Sequence, residues 1–291
     1  MKELDGRTAI VTGAASGIGK SLAQTLAREG MRVAVLDINV ENARAVADAL
    51  GNGSAAFACD VSDVPSVEAA ITGSIDALGA PAVVCANAGV TAFEAFADMR
   101  AADVDWLFQV NLLGAARVIR GVLPAMIAAG NGGHLVATSS LAGLAPTWAP
   151  IHVPYTATKA GILGMMMNLR GELAEHRIGC TTLCPGGVAT NITLAQQNRP
   201  ERFGGPSNDV ITPPPNFATA MAAAAGGAPQ RPLAHRTPDE VAGMVLEAIR
   251  EEYPIVVTDS GLRGVYDDYV HMAHDAFDRC AAWEDEHDGT S

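Results

Sequence analysis

The chain has 291 residues, 49% of them hydrophobic, which is enough for one large α/β domain or two small ones with a sizeable core. Its net charge of −13 leaves no basic stripe for phosphates and argues against nucleic acid as a partner. No apolar run approaches the roughly 18 to 20 residues of a membrane span, and the start lacks a secretory signal, so we expect a soluble, cytoplasmic protein without a membrane partner.

Short apolar segments alternate with helical patterns along the chain. Ile18, Leu22 and Leu26 recur every fourth residue and predict an amphipathic first helix. The strand segments lack clean alternation, as expected when helices cover both faces of a sheet. The pattern predicts an α/β fold with a doubly wound parallel sheet, three-layered and Rossmann-like, in a single domain over residues 1–291. Strands are predicted at 8–13, 32–37, 55–60, 81–89, 133–140, 179–186 and 254–259, and further helices at 40–50, 63–78, 98–129, 154–177 and 237–251.

A glycine-rich stretch, VTGAASGIG at residues 11–19, ends the first predicted strand and opens the first helix. Gly13, Gly17 and Gly19 allow a tight turn and let the backbone approach a pyrophosphate. The helix N-terminus then offers free N–H groups and a positive dipole end to the anion. The spacing is G-x3-G-x-G, and its position between a strand and a helix predicts a dinucleotide cofactor.

The second predicted strand ends at Asp37, 24 residues after Gly13. A carboxylate at this point accepts hydrogen bonds from a ribose 2′-hydroxyl and repels a 2′-phosphate. Because neither Ile38 nor Asn39 is basic, we predict NAD rather than NADP as the cofactor.

Tyr155 and Lys159 lie four residues apart in PYTATKAG, on one face of a predicted helix. Most such pairs are ordinary surface neighbours. If this pair faces a cleft, the ammonium favours the phenolate, and we then expect the pKa of Tyr155 to fall below its ordinary value.

Together these motifs resemble the short-chain dehydrogenase/reductase family, in its compact single-domain branch, from residue 8 to about residue 190. The glycine stretch is similar to the family's cofactor loop, TSS at 138–140 and Tyr155-x3-Lys159 look like its catalytic elements, and PGGVAT at 185–190 resembles its nicotinamide-side loop. The resemblance implies that the cofactor is bound by Gly13, Ser16, Gly17, Ile18, Gly19, Asp37, Asp60, Val61, Asn87, Ala88, Gly89, Tyr155, Lys159, Pro185, Gly186, Val188 and Thr190.

The resemblance also implies catalytic roles. Tyr155 is the general base or acid, and Lys159 stabilises its phenolate and holds the cofactor ribose. Ser140 hydrogen-bonds the substrate oxygen, and Asn111 positions a water that links Lys159 to solvent. Because Ser140 and Tyr155 are 15 residues apart, more than is usual in the family, Ser139 stays open as an alternative to Ser140.

The segment between Ser140 and Tyr155 is rich in apolar side chains. We predict a bulky, largely apolar substrate, such as an aromatic secondary alcohol or its ketone, because pockets combine apolar walls with a few polar anchors. The alternative is that these side chains pack against the core or form a subunit contact. The predicted substrate contacts are Ser140, Leu144, Trp148, His152, Val153 and Tyr155.

Residues 186–232 are rich in proline and glycine and contain no regular strand or long helix pattern. A stretch of this length inside a compact domain is more often a lid than filler, so we predict a substrate lid here. Its apolar side chains, which we expect to extend the pocket wall, are Ile192, Leu194, Phe203, Phe217 and Met221.

The sequence therefore predicts an NAD-dependent oxidoreductase acting on a small molecule, and the resemblance implies a homodimer or homotetramer. A non-catalytic dinucleotide-binding regulator is one alternative, although such a protein is expected to have lost Tyr155 or Lys159. A dehydratase or epimerase on the same fold is another, which the glycine spacing and the compact plan disfavour.

The remaining features predict no metal site. Cys59, Cys85, Cys180 and Cys184 lie in apolar strand-like stretches and are expected to be buried, reduced thiols. His271 and His274 are expected to be surface residues of an acidic helix. The tail at residues 259–291 holds nine acids against two arginines, which we interpret as a solvated face.

Overall fold

The computed structural model describes residues 1, 3–213, 215 and 235–287. Its centre is one sheet, whose strands are β1 (Thr8–Thr12), β2 (Arg32–Asp37), β3 (Ala55–Ala58), β4 (Val83–Ala86), β5 (Gly133–Thr138), β6 (Ile178–Cys184) and β7 (Ile255–Val257). All strand pairs are parallel, in the order β3-β2-β1-β4-β5-β6-β7. The order reverses at β1, which lies between β2 and β4, so the loops after β1 and β4 diverge and leave a crevice at the carboxyl edge.

Helices cover both faces of this sheet and make the predicted three-layer, Rossmann-like domain, which is confirmed. Val118 and Ile162 belong to an apolar layer on one face, together with Ile10 of β1. Leu22 and Val245 belong to the layer on the other face, together with Val11, the next residue of the same strand. The helices are α1 (Gly17–Arg28), α2 (Val40–Leu50), α3 (Val64–Leu78), α4 (Ala101–Leu107), α5 (Ala115–Ala129), α6 (Leu141–Leu144), α7 (Val153–Glu172), α8 (Pro238–Glu251) and α9 (Arg263–His287).

The helix predicted at 98–129 is interrupted by a π-helical segment, Phe108–Gly114. The whole stretch Ala101–Ala129 is long and apolar enough to resemble a membrane span by composition. Within it, however, Val118, Ile119 and Val122 are buried in the core of the sheet–helix sandwich, so we interpret it as a core helix. A cytoplasmic location stays a prediction.

The cysteines behave as predicted within the part of the chain that the structure describes. Cys59, Cys85, Cys180 and Cys184 are buried and reduced, and Cys280 is reduced and exposed. Most of the acidic tail forms the long helix α9, of which only Val265 is buried, in line with the interpretation as a solvated face.

Candidate active site

A cleft of about 390 Å³ opens at the carboxyl edge of the sheet, where β1 and β4 diverge. The loops that follow six strands, β1 to β6, contribute to its walls. The predicted cofactor residues that line it are Gly13, Ser16, Gly17, Ile18, Asp37, Asp60, Val61, Asn87, Ala88, Gly89, Tyr155, Lys159, Pro185, Gly186, Val188 and Thr190. Gly19 is the one residue of the predicted cofactor set that does not line the cleft.

The glycine turn leaves no room for a side chain at Gly13 or Gly19. Gly13 has φ +64°, and a Cβ there would lie 2.9 Å from the Cα of Ala88. A Cβ on Gly19 would overlap the carbonyl oxygen of Gly13. The N-cap of α1, Ser16, makes no side-chain capping bond, and the first turn carries no acidic residue. Its N–H groups and dipole therefore fit the pyrophosphate of a dinucleotide.

Asp37 ends β2 at the rim of the cleft. Its Oδ2 accepts a hydrogen bond of 3.0 Å from the Ala15 amide, and its Oδ1 accepts one of 2.9 Å from the Asn39 amide. Burial raises the pKa of Asp37, and these backbone donors partly oppose the rise. The next residue, Ile38, is 41% exposed and lines the cleft as well. The rim of the cleft therefore presents a hydrogen-bond acceptor held in place, the Asp37 carboxylate, next to the apolar side chain of Ile38.

Tyr155 lies in the first turn of α7 and is buried beside Ser140. The Ser140 side chain hydrogen-bonds Tyr155, and its Oγ also accepts from the Ala142 amide at 3.1 Å, which caps α6. Ser139 points elsewhere, because its hydroxyl donates to the carbonyl of Lys159 at 2.6 Å. Of the two candidate serines, Ser140 is therefore the one that contacts the phenol.

Lys159 is buried one helical turn beyond Tyr155, with its Nζ 5.6 Å from the centroid of the tyrosine ring. The ammonium donates to the carbonyl of Thr138 at 2.7 Å. Burial lowers the pKa of Lys159 to about 8. Burial also raises the pKa of Tyr155, and the hydrogen bond from Ser140 only partly opposes it. The expected fall of the tyrosine pKa is therefore wrong for the cleft as described, because desolvation of the phenolate is the largest effect.

Asn111 lies outside the cleft lining, in the middle of the π-helical segment, and is completely buried. Its Oδ1 accepts from the Val90 amide at 2.8 Å, and its Nδ2 donates to the Val90 carbonyl at 3.0 Å. A Cβ added to Gly89 would lie 3.3 Å from both Asn111 Oδ1 and Lys159 Nζ. The amide and the ammonium thus flank the same glycine, and the widened helical turn brings the amide there. Such π-helical segments occur frequently at functional sites.

His152 is the residue that precedes α7, and its ring lies flat against Tyr155, a contact that the sequence analysis did not predict. The two ring centroids are 4.2 Å apart with planes 7° from parallel, and Phe93 stacks on the other face of the imidazole at 4.4 Å. His152 Nε2 and Thr91 Oγ1 share a hydrogen bond of 2.9 Å. Burial lowers the pKa of His152 to about 4, so the ring is neutral at neutral pH. The histidine supports the tyrosine from behind and does not line the cleft.

The other predicted substrate contacts also lie outside the cleft lining. Leu144 packs beside Leu262 and Val265 in a small cluster under the start of α9. Trp148 joins this cluster to a second one that contains Tyr155. Val153 is 49% exposed. For Leu144 the structure matches the alternative in which these side chains pack against the protein itself.

Residues 186–213 are the described part of the predicted lid, which we call the lid segment, and they contribute to the wall of the cleft. Ile192 lines the cleft, whereas Phe203 is buried in the core, so its expected place in the pocket wall is wrong. Phe217 and Met221 lie outside the described residues. No sequence pattern predicts the contact that holds this segment: Arg202 donates to Asp60 Oδ2 at 2.7 Å and to the hydroxyl of Ser62. This ion pair ties the lid segment to the loop after β3.

No group of three or more possible metal ligands occurs among the described residues. His271 and His274 lie on the exposed face of α9, with ring centroids 6.3 Å apart.

Comparison with known proteins places residues 7–201 in the short chain dehydrogenase family. L-rhamnose 1-dehydrogenase (NAD(P)(+)) of Sphingomonas sp. (strain SKA58) is 34% identical over 244 residues, which are 78% of this chain and 95% of that protein. Sorbitol dehydrogenase of Cereibacter sphaeroides is 36% identical over 64% of this chain and 72% of that protein. The crystal structure of a short chain dehydrogenase/reductase from Burkholderia phymatum in complex with NAD has a TM-score of 0.78 at 29% identity, and covers 92% of this chain and 94% of that one.

Proposed function

Because the chain belongs to the short chain dehydrogenase family and is an NAD(P)-dependent oxidoreductase, we propose that it interconverts a secondary alcohol and its ketone with NAD. The observation that carries this proposal is the contact of Ser140 with Tyr155, in a cleft whose other end is the glycine turn at the start of α1. One cleft thus joins a proton-transferring pair to a pyrophosphate-binding turn.

The proposed chemistry uses the cofactor only as the acceptor or donor of hydride. In the oxidation direction Tyr155 takes the hydroxyl proton of the alcohol, and in reduction its Oη returns a proton to the ketone oxygen. Ser140 donates to the same oxygen and stabilises the negative charge that develops there. The Lys159 ammonium, held by the Thr138 carbonyl, favours the phenolate through its charge.

The proposed preference for NAD rests on Asp37. The backbone amides of Ala15 and Asn39 fix its carboxylate at the rim, ready to accept from a ribose 2′-hydroxyl. A 2′-phosphate at this position would meet a negative charge, and the adjacent Ile38 offers no compensating cation.

For the substrate we propose a bulky, largely apolar alcohol. Tyr155 belongs to an apolar cluster, and Trp148, which lies outside the cleft lining in the segment between Ser140 and Tyr155, packs against that cluster. A second candidate, a sugar or polyol, is favoured by the relatives, since two of them are named for L-rhamnose and sorbitol. The two candidates differ in the number of polar contacts that the pocket must supply.

A substrate panel separates these candidates. The initial rate of nicotinamide reduction is measured with aromatic secondary alcohols, small secondary alcohols, sugars and polyols, each with NAD and with NADP. The proposal expects the highest kcat/KM for an aromatic secondary alcohol with NAD. A clear preference for polyols would replace the apolar substrate by the second candidate, and equal kcat/KM with NADP would refute the role of Asp37.

The contribution of Trp148 is tested in the same assay with Trp148→Ala and the milder control Trp148→Phe. Loss of the ring is expected to lower kcat/KM for an aromatic alcohol by about 10-fold or more and to leave 2-propanol nearly unaffected. Equal losses for both alcohols would assign Trp148 to packing alone.

A further inference from the structure

Helix α9 extends from the domain with most of its surface exposed. Its base is anchored, because Leu262 and Val265 are buried against Leu141 and Ala145. Beyond Val265 no residue of the helix is buried. Large apolar side chains nevertheless continue along it: Tyr266, Tyr269, Met272, Phe277 and Trp283 are 38%, 40%, 58%, 75% and 56% exposed. A long helix that keeps apolar residues in water is expected to have a partner.

Six residues along the apolar face of α9 follow a heptad pattern, and Met272 and Phe277 lie beside it. The spacing of the six alternates between three and four residues, which is the repeat of a coiled-coil seam and not that of a helix lying on a globular core. Acidic side chains occupy the other side of the helix, at Asp267, Asp268, Asp275 and Asp278. We call the repeat the α9 seam; its residues are Tyr266, Tyr269, Ala273, Ala276, Cys280 and Trp283.

We propose that the α9 seam pairs in antiparallel orientation with the α9 seam of a second copy of this chain. The seam is symmetric about a point between Ala273 and Ala276. A two-fold axis through that point pairs Ala273 with the partner's Ala276, Tyr269 with the partner's Cys280, and Tyr266 with the partner's Trp283. Small residues meet at the centre and aromatic residues at both ends, so the surface is complementary to itself, as a two-fold interface requires.

Charge favours the antiparallel orientation. In this arrangement Arg263, at the start of α9, lies beside the partner's Glu284, at a position that flanks the seam. Glu284, Asp285 and Glu286 concentrate negative charge at the other end of the helix. A parallel pair would bring these acidic ends together. The antiparallel pair instead places the acidic end of each helix beside Arg263 of the other copy, and it also aligns the two helix dipoles in opposite directions. Arg263 is available, since its only ion pair among the described residues is a 3.7 Å contact with Asp267 at an exposed position.

Cysteine cross-linking tests the orientation directly. Tyr269→Cys, with native Cys280 retained, places two sulfur atoms from different copies opposite each other. We expect this full-length variant to give a covalent dimer as its main species on a non-reducing gel after mild oxidation. The wild type and the matched control Asp268→Cys, which carries the new thiol on the acidic side, are expected to stay monomeric on the same gel. Cross-linking of the wild type would indicate a parallel pair through Cys280 and overturn the proposal.

The mass of the assembly in solution gives a second, independent readout. Ala276→Glu puts a charge at the centre of the α9 seam, and we expect it to halve the molar mass measured by light scattering. Asp275→Glu, one residue away on the acidic side, is expected to leave that mass unchanged. Both variants are expected to retain turnover, which shows that the domain is folded. An unchanged mass for Ala276→Glu together with no cross-linking of Tyr269→Cys would mean that α9 has another partner and would refute the pairing.

Discussion

The imidazole of His152 lies parallel to the phenol of Tyr155, with 4.2 Å between the ring centroids and 7° between the planes. Phe93 covers the opposite face, and Thr91 holds Nε2, so the histidine itself is fixed. Because its pKa is lowered to about 4 by burial, the ring adds no charge beside the phenol at neutral pH. We infer that His152 is a positioning residue for Tyr155.

If His152 positions Tyr155, we expect two substitutions of His152 to lower kcat by different amounts. His152→Phe keeps a flat ring against Tyr155, whereas His152→Ala removes it. A stacked ring pair contributes about 0.5 to 1.5 kcal/mol, so we expect His152→Ala to lower kcat by about 2- to 10-fold more than His152→Phe does. Steady-state kinetics with saturating cofactor measures this. Equal kcat values for the two variants would show that the stack does not position the tyrosine.

The buried histidines predict how stability depends on pH. Burial lowers the pKa of His134 to about 3 and that of His152 to about 4, from an ordinary value of 6.5. Between the folded and unfolded pKa values the unfolded chain binds more protons, so the free energy of unfolding falls as the pH falls below 6.5. Each histidine is expected to account for a loss of up to about 2 kcal/mol by pH 5.

Urea unfolding at pH 7 and pH 5 measures this loss. His134 lies in β5, away from the candidate site, and its Nε2 shares a hydrogen bond of 2.7 Å with Thr181. His134→Gln removes the titrating group and is expected to reduce the pH dependence by about half of the loss assigned to the two histidines. A variant with the same pH dependence as the wild type would contradict the assignment.

The charge of Lys159 predicts the pH profile of alcohol oxidation. Burial raises the pKa of Tyr155, so kcat/KM for oxidation is expected to increase with pH as the phenolate forms. We propose that the charge of the Lys159 ammonium, which is present below its pKa of about 8, favours the phenolate and so opposes that rise; Lys159→Met removes this charge. We therefore expect the profile of Lys159→Met to move to higher pH and its affinity for NAD to fall. The pH dependence of kcat/KM checks this, and a profile that does not move in a variant with residual activity would disprove the coupling.

The rim of the cleft predicts the effect of substitutions on cofactor choice. Asp37→Ala removes the repulsion of a 2′-phosphate, and Ile38→Arg adds a cation next to it. The double variant is expected to shift the ratio of kcat/KM for NAD to that for NADP by about 10- to 100-fold toward NADP, since each 1.4 kcal/mol is tenfold. The single variant Ile38→Ala serves as the control. A double variant with the wild-type ratio would remove Asp37 from cofactor selection.

Much of the fold follows from local sequence patterns. Apolar segments separated by amphipathic stripes such as Ile18, Leu22 and Leu26 predict a parallel sheet, and the glycine turn marks where its crevice opens. Helix ends and strand ends lie close to their predicted positions because caps and turns are local features. Asp37, for example, ends both the predicted strand and the observed one.

The features that sequence reasoning missed depend on contacts between distant segments. The stacking of His152 on Tyr155 and the ion pair of Arg202 with Asp60 join residues from separate loops. The π-helical segment around Asn111 extends a pattern that looks like ordinary helix. The pKa of Tyr155 depends on how deeply the ring is buried, and residue spacing does not report burial.

The central claim is that Tyr155 transfers the proton, and Tyr155→Phe tests it most directly. The variant keeps the ring that stacks on His152 and removes only the hydroxyl, so the fold and the cofactor end of the cleft are expected to remain intact. We predict that kcat falls by about 10²- to 10⁴-fold, the usual contribution of a general acid or base, while the Kd for NAD changes little. A Tyr155→Phe enzyme that keeps most of the wild-type kcat would contradict the proposed mechanism.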